Sequence, residues 1–514
     1  MEEKSDNGFL VIGGGIAGST CAIELLRLSP SSKVTLVSPS STIKTLQDGE
    51  QITPLVGLVE AEDRSQDDFA AEHPGVVLVC DEVETVDPTR SLAKLAKGGM
   101  LRFSRCCVAT GASPSLAYPH PRVFGIRDTE SVENLNKRLV DAKVVLVVGN
   151  GGIALELVHS LVSKQACQVV WAVRNKYIGN TFFDASASAF FLQNVAKKEI
   201  PRSRGMGQMV AATNSSSVGP DWTFEGVGKS QQPDPTIARS PQQFFLDIQF
   251  ECELGDVRDG EGSSQVSATL TNGVCVDADF VVSATGVTPT TSVVSSEFQR
   301  GHDGGLCVDE TMRVVRSRST TRGAGMRAED VNIFAAGDCC CMEWPQRESD
   351  HWFQLRIWRQ ARASGLYAAQ CMADSVDELG SGAFDLFVHA TQFFGYQVAL
   401  LGRFNGQGLG ASIEDVVSNH AIEMDVDVAA PPQCHHEAIH IKKGSSHIQV
   451  LIRTTPGLEY IKVIVVDGRL RGAMLVGDTT LAETFENLIL SATDVSTLGD
   501  ELLSRDVDIE DFFD

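Results

Sequence analysis

Three glycines near the start of the chain, in Gly13-Gly14-Gly15-Ile16-Ala17-Gly18, have the spacing with which a backbone grips a dinucleotide pyrophosphate. The requirement is steric first. Gly13 permits a tight turn, Gly15 brings the backbone up to the phosphates with no Cβ in the way, and Gly18 lets the following helix lie close on its strand. The helix N-terminus then turns free N–H groups and a positive dipole end toward the anion. The pattern returns in Gly149-Asn150-Gly151-Gly152-Ile153-Ala154, with Gly149, Gly151 and Ala154 in the three small-residue positions. An Asp or Glu at the end of the next strand ordinarily holds the ribose 2′-hydroxyl. The first set has Ser38 there, and the second has Arg174, which suits a 2′-phosphate and tilts that site toward NADPH while leaving NADH open.

Each glycine set needs a strand before it and a helix after it. Phe9 to Ile12 reads as a short buried strand, Ile16 to Leu28 as a helix and Lys33 to Val37 as the next strand, a βαβ start. Val144 to Val148, a helix continuing to Leu161, and Val169 to Val173 repeat that unit. Two similar strand-turn segments follow the two units, Cys107-Val108-Ala109-Thr110-Gly111-Ala112 and Val282-Ser283-Ala284-Thr285-Gly286-Val287-Thr288-Pro289. Further on, Asn332 to Ala336 forms a strand ending in Gly337-Asp338, and an amphipathic stretch runs from Trp352 to Met372. The fold class is α/β. Two dinucleotide folds in one chain point to hydride transfer from a nicotinamide to a flavin.

Composition agrees with such a protein. At 514 residues and 43% hydrophobic content the chain can build about three domains, and a formal net charge of −24 argues against direct binding of bare nucleic acid. The thirteen cysteines would suit a secreted chain, but the opening Met1-Glu2-Glu3-Lys4-Ser5-Asp6 is acidic where a secretory signal is basic. No run of about 18 apolar residues is present to span a bilayer. The expectation is a soluble intracellular chain with reduced thiols.

In this order, over residues 8 to 375, the motifs resemble the two-dinucleotide flavoproteins of the pyridine nucleotide-disulfide oxidoreductase superfamily. The resemblance implies FAD bound by Gly13, Gly15, Gly18, Ser38, Thr110, Gly111, Gly337 and Asp338. It implies NADH or NADPH bound by Gly149, Gly151, Ala154 and Arg174, with Thr285 and Gly286 at the crossing between domains. It further implies two Rossmann-like domains, a discontinuous FAD domain over 1–125 and 288–380 and an inserted NAD(P)H domain over 126–287, followed by a C-terminal α+β domain over 384–514. In that last region Gln397 to Leu401, Tyr460 to Val466 and Leu470 to Val476 read as strands and Leu481 to Leu490 as a helix. Two polar stretches, 201–243 and 413–447, lack periodicity and read as mobile loops. A catalytic pair is implied as well, Lys44 and Glu156 beside the flavin, where a cation stabilises the negative charge gained on reduction.

The chain departs from disulfide-reducing members of this family. No cysteine lies between Ser38 and Val79, where their redox pair stands, and no histidine lies between Thr484 and Asp514. Cys167, Cys252 and Cys275 are isolated, so the alternative Cys-x-x-Cys pattern is missing too. Cys339-Cys340-Cys341 reads as small buried residues, and Cys434-His435-His436 with His440 and His447 reads as a solvated loop, so no metal site is expected. A closer resemblance, carried by Gly149 to Val158, Ile178 to Asp184 and Val507 to Asp514, is to a family member without the redox pair. It implies oxidative-stress defence in cytoplasm and nucleus, with an electron acceptor that no residue names. It also implies an alternative binding role, in which the reduced, nucleotide-bound state protects a partner such as a tRNA ligase. The final stretch, Asp500 to Asp514, carries seven acids against one arginine around Phe512 and Phe513, and reads as a solvated tail or a docking peptide for a basic partner.

Overall fold

Short, uninterrupted apolar runs make strands that are buried on both faces, and such strands assemble in parallel. Phe9–Ile12 does so at the centre of a five-stranded sheet ordered Ile333–Ala335, Arg105–Val108, Phe9–Ile12, Val34–Val37, Val76–Val79, every neighbouring pair parallel. The computed structural model describes residues 8–164, 166–196, 246–260, 265–317, 332–345, 349–376, 380–420, 433–507 and 509. These fall into two units: Met1–Asp48 with Val59–Ser113 and Val287–Leu386, and Gly49–Leu58 with Pro114–Gly286 and Phe387–Asp514.

In the first unit the helix Ile16–Leu28 buries Ile16, Ala17, Cys21, Ala22 and Leu25. It lies against the helix Trp358–Met372 at Gly365, where any Cβ would overlap the carbonyl oxygen of Ala17. That second helix starts six residues later than its amphipathic pattern, because Trp352 and Phe353 approach it outside the helix with their side chains buried in the core.

The second unit contains another five-stranded parallel sheet, ordered Val123–Gly125, Phe280–Ser283, Val144–Val148, Gln168–Val173, Leu246–Phe250. Its first strand corrects the domain boundary. The sequence places Val123–Gly125 in the first domain, yet it pairs with Phe280–Ser283, and the chain changes units between Ser113 and Pro114. Three residues give no periodicity from which to see this.

The same unit holds a six-stranded antiparallel sheet ordered Val388–Phe393, Tyr396–Gly402, Arg469–Val476, Glu459–Val466, Ser446–Thr455, His435–Lys443. The loop expected over 413–447 is corrected here: Ala411–Asn419 is a helix, and His435–Lys443 is a strand paired along its whole length with Ser446–Thr455. It is an edge strand with little buried surface, so its sequence stays polar and imitates a loop. The other expected loop, 201–243, lies outside the described residues. The tail is also partly corrected. Gly499–Leu503 forms a 3₁₀ turn with Leu502 and Leu503 buried; Arg453 donates to the Leu503 carbonyl (3.1 Å) and Arg505 pairs with buried Glu459 (2.5 Å). Phe512 and Phe513 lie outside the described residues.

A buried polar node ties the parallel sheet's following segment to the antiparallel sheet. Asp184 accepts from Tyr460 Oη (3.2 Å) and from the Ala187 amide (2.7 Å), which caps the helix Ala185–Ala196, and it pairs with Lys462. Lys462 Nζ also donates to Asn405 Oδ1 (2.6 Å). Lys462 and Asp184 are both essentially inaccessible, and burial pulls the lysine pKa down while the Asp184 carboxylate opposes that pull. Breaking one side of such a pair leaves an uncompensated charge.

Lys462→Met is expected to cost about 3–5 kcal/mol in chemical denaturation, and adding Asp184→Asn to recover part of the loss. A double variant no more stable than the single one would show that the two groups are not coupled. A second expectation concerns His159, which meets the Phe394 ring edge-on at 5.1 Å and whose pKa is lowered by burial from 6.5 to about 4. The unfolded chain therefore binds this proton first, and stability falls as pH drops from about 6.5 toward 4. His159→Leu should remove about 2 kcal/mol of the loss otherwise measured between pH 7 and pH 5.

Candidate functional site

The first glycine turn is built by backbone contact. Gly13 has φ +116° and donates its amide to Val37 O (2.8 Å); a Cβ there would overlap the carbonyl oxygen of Ala109. A Cβ at Gly18 would in turn overlap Gly13 O. Gly15 differs: it is extended, nothing lies within 4 Å of its would-be Cβ, and no side chain caps the helix that follows. Two glycines are thus demanded by packing, while the third faces open space at a helix N-terminus, the arrangement that receives a pyrophosphate. Ser38 is buried at the end of its strand, its Oγ 2.7 Å from where a Gly14 Cβ would stand.

The other expected residues of the first unit gather at this turn. The Lys44 amide donates to Gly14 O (2.9 Å), and Lys44 O accepts from Ser19 Oγ (2.5 Å). Its ammonium pairs with Asp63 at 2.7 Å, both side chains largely buried, a carboxylate partner that the sequence reading missed. Thr110 N lies 3.3 Å from the would-be Gly13 Cβ, and Thr110 Oγ1 donates to Thr290 O, bracing the turn at Gly111, which has φ +66°. Gly337 has φ +73°, donates its amide to buried Ser364 Oγ (2.9 Å), and sits so close to Ala17 that a Cβ would come within 2.7 Å of that methyl. Gly337 therefore seats the half-buried Asp338 beside the helix Ile16–Leu28. Arg356 donates from Nε to Asp338 O (3.0 Å) and from Nη2 to Asp303 (2.6 Å).

The second turn repeats the construction. Gly149 has φ +135°, and its would-be Cβ overlaps Ala284 O, which brings Thr285 and Gly286 alongside. Trp171 Nε1 donates to Gly149 O (2.7 Å), and Asn150 accepts the Gly179 amide (2.6 Å) while donating to Tyr177 O (2.9 Å). Gly151 is extended and uncapped, with only Thr181 Oγ1 near its would-be Cβ at 3.7 Å, and Ala154 is buried. Thr285 Oγ1 donates to Ser115 O (2.8 Å), and Gly286 has φ +105°. Arg174 follows the strand Gln168–Val173 with its side chain 72% exposed, 3.7 Å from Glu253. Glu156 is half-buried on the helix Gly152–Ser163, in the second unit, whereas Lys44 belongs to the first. Asn150 lay in plain view inside the glycine motif; Trp171, Ser364, Asp63 and Arg356 gave no local signal because their partners are remote in sequence.

All thirteen cysteines are free. Cys339, Cys340 and Cys341 are buried; Cys339 donates to Val108 O (3.2 Å), and burial pushes its thiol up to about 11 and that of Cys340 well above the ordinary range. These are thiols rather than reactive thiolates. The edge-strand histidines form pairs: Cys434 with His436 at 3.4 Å, and His440 with His447 at 3.3 Å. No helix among the described residues is long and apolar enough to cross a membrane.

The chain has recognisable relatives. A family model described as pyridine nucleotide-disulphide oxidoreductase matches residues 8–218 and 242–365. A human protein named pyridine nucleotide-disulfide oxidoreductase domain-containing protein 1 is 34% identical, the match covering 98% of each chain. Among solved structures, a ferredoxin reductase from Rhodopseudomonas palustris superposes with a TM-score of 0.63 at 15% identity, covering 98% of this chain and 100% of that one. The water-forming NADH oxidase from Lactobacillus brevis gives 0.62 at 12% identity, covering 98% and 95%. At such identities these two structures establish a common fold.

The geometry separates two kinds of glycine. Gly15→Val should keep the melting temperature near that of the parent while weakening dinucleotide retention about 10-fold or more, the equivalent of one lost hydrogen bond to a charged group. Gly18→Val should unfold the first unit. Equal effects on folding and retention for the two variants would contradict the assignment.

Proposed function

Since the chain belongs to the pyridine nucleotide-disulphide oxidoreductase family, we propose that it is an FAD-dependent NAD(P)H oxidoreductase that delivers electrons to an acceptor outside itself rather than to a dithiol of its own. The observation that carries this reading is the pair of uncapped helix N-termini at Gly15 and Gly151, each at the end of a strand in a parallel sheet. In this reading Gly13, Gly15, Gly18, Ser38, Thr110, Gly111, Gly337 and Asp338 hold FAD, and Gly149, Gly151, Ala154, Arg174, Thr285 and Gly286 serve the nicotinamide dinucleotide. FAD, when bound, supplies a two-electron acceptor for the nicotinamide hydride.

The chain's own residues then bind, orient and balance charge. The Gly15 and Gly151 helix ends each receive a pyrophosphate, and Asp338, seated by Gly337, orients sugar hydroxyls. Lys44 is held by its backbone to the glycine turn, so its ammonium enters the site already placed, with Asp63 offsetting the cost of burying it. Glu156, on the helix Gly152–Ser163, is the carboxylate that the family resemblance assigns as the partner of Lys44. Exposed Arg174, spending little on its loose contact with Glu253, is free to meet a 2′-phosphate. The ferredoxin reductase of this fold is named for an acceptor outside its own chain, and we extend that property to this one. Oxidative-stress defence in cytoplasm and nucleus completes the reading.

Mixing the purified protein anaerobically with one equivalent of NADPH, or of NADH, should bleach the flavin absorbance without a long-wavelength thiolate band, and air should restore it. Slow bleaching with a persistent, air-resistant charge-transfer complex would favour the partner-protecting role instead, and purification without flavin would overturn the proposal. Lys44→Ala and Glu156→Ala should each slow the bleaching about 10- to 100-fold; unchanged rates would remove that pair from the mechanism.

A further inference from the structure

Just beyond the Gly337-Asp338 turn, two cysteines stand side by side in the first unit. The strands Leu306–Val308 and Cys340–Met342 run parallel with Cys307 opposite Cys341, so the two side chains share a face. Both are buried. His302 approaches from the segment before the first of these strands and Glu343 directly follows the second; the ligand atoms of His302, Cys341 and Glu343 all lie within 4.8 Å of one another. Gly301 makes the arrangement possible, since a Cβ there would overlap Cys341 Sγ.

We propose that His302, Cys307, Cys341 and Glu343 form a binding site for one thiophilic divalent cation, zinc by preference. Two sulfurs, an imidazole and a carboxylate make a donor set for zinc rather than magnesium or calcium, which take oxygen. Donor atoms around a tetrahedral zinc lie about 3.3–3.8 Å apart; those of His302, Cys341 and Glu343 already lie within 4.8 Å of one another, and Cys307 stands beside Cys341 in register as the fourth. The set runs from buried sulfurs to an exposed imidazole, which gives the ion a path in from solvent.

Burial, followed by the charges of Asp303, Cys307 and Glu343, pushes the Cys341 thiol up to about 12, and burial with Glu343 and Asp303 raises that of Cys307, so both rest as thiols and an incoming ion must displace their protons. On binding, each S–H bond gives its proton to solvent and an S–metal bond replaces it, with no change of oxidation state. Asp303 is already engaged by Arg356 (2.6 Å) and the Gly305 amide (2.9 Å), so it supports the site without ligating. Because Arg356 also holds Asp338 O, an ion seated here braces the strand that continues from the Gly337-Asp338 turn. The inference stands on these residues alone and is independent of the proposed redox activity.

The full-length, flavin-loaded protein is stripped with a chelator, exposed to zinc sulfate, desalted, and analysed for zinc per chain by mass spectrometry, with affinity read by competition against a chromophoric chelator. The expected result is one zinc per chain, with affinity reduced at least about 10-fold in Cys341→Ser, Cys307→Ser and His302→Ala. Cys434→Ser, at the edge-strand pair, should change nothing. His302 is exposed, so His302→Ala keeps the test sound if a cysteine variant fails to fold. Cobalt(II) should add a thiolate charge-transfer band that Cys341→Ser weakens and the double variant Cys307→Ser/Cys341→Ser abolishes. No retained zinc, equal retention in His302→Ala, or a Cys307–Cys341 disulfide protein that takes up no zinc after reduction would overturn the proposal.

Discussion

The carbonyl oxygen of Ala109 occupies the space that any side chain at Gly13 would need, and Gly13 O does the same to Gly18. These refusals of a single Cβ bring the helix Ile16–Leu28 down onto its sheet, and Gly337 and Gly365 continue the series by seating their segments against Ala17. The position of Asp338, the route of Lys44 across Gly14 and the burial of Ser38 all follow from that closeness. At Gly149 and Ala284 the second unit uses the same constraint. At Gly15 and Gly151, by contrast, packing asks for nothing: a side chain would meet open space or, at 3.7 Å, Thr181 Oγ1 alone.

The second unit depends on a different kind of interaction. Its five-stranded and six-stranded sheets could slide on apolar contacts alone, since interdigitated hydrophobic side chains tolerate many registers. The Asp184–Lys462 pair, with Tyr460 and Asn405, accepts few geometries and suits the role of fixing one. Such a node is costly to desolvate, which is reason to regard it as a device for specificity rather than a source of net stability.

What could be read in advance was local. The glycine turns declare themselves because φ and close approach are properties of a few consecutive residues, and the central strands do so because Leu10-Val11-Ile12 and Val145-Leu146-Val147-Val148 are apolar without a break. The family resemblance extended this to whole domains. What escaped was decided at a distance or by thin burial. His435–Lys443 is a strand only because Ser446–Thr455 lies beside it. Val123–Gly125 joins the second sheet through a partner more than 150 residues on. Asp63 meets Lys44 across a hairpin, and Cys307 faces Cys341 by a parallel register that no spacing rule announces.

That same remoteness bears on how the protein is made. The strand Ile333–Ala335 completes the first sheet beside Arg105–Val108, yet the ribosome must synthesise the entire second parallel sheet in between. At roughly 5–20 residues per second the wait is on the order of 10 to 45 s. Throughout it, Cys106, Cys107 and Val108 form an exposed apolar edge on a nascent chain, open to wrong pairing. The first sheet, whose central strand is the first to be made, thus stays open on one side until the whole of the second parallel sheet has left the ribosome.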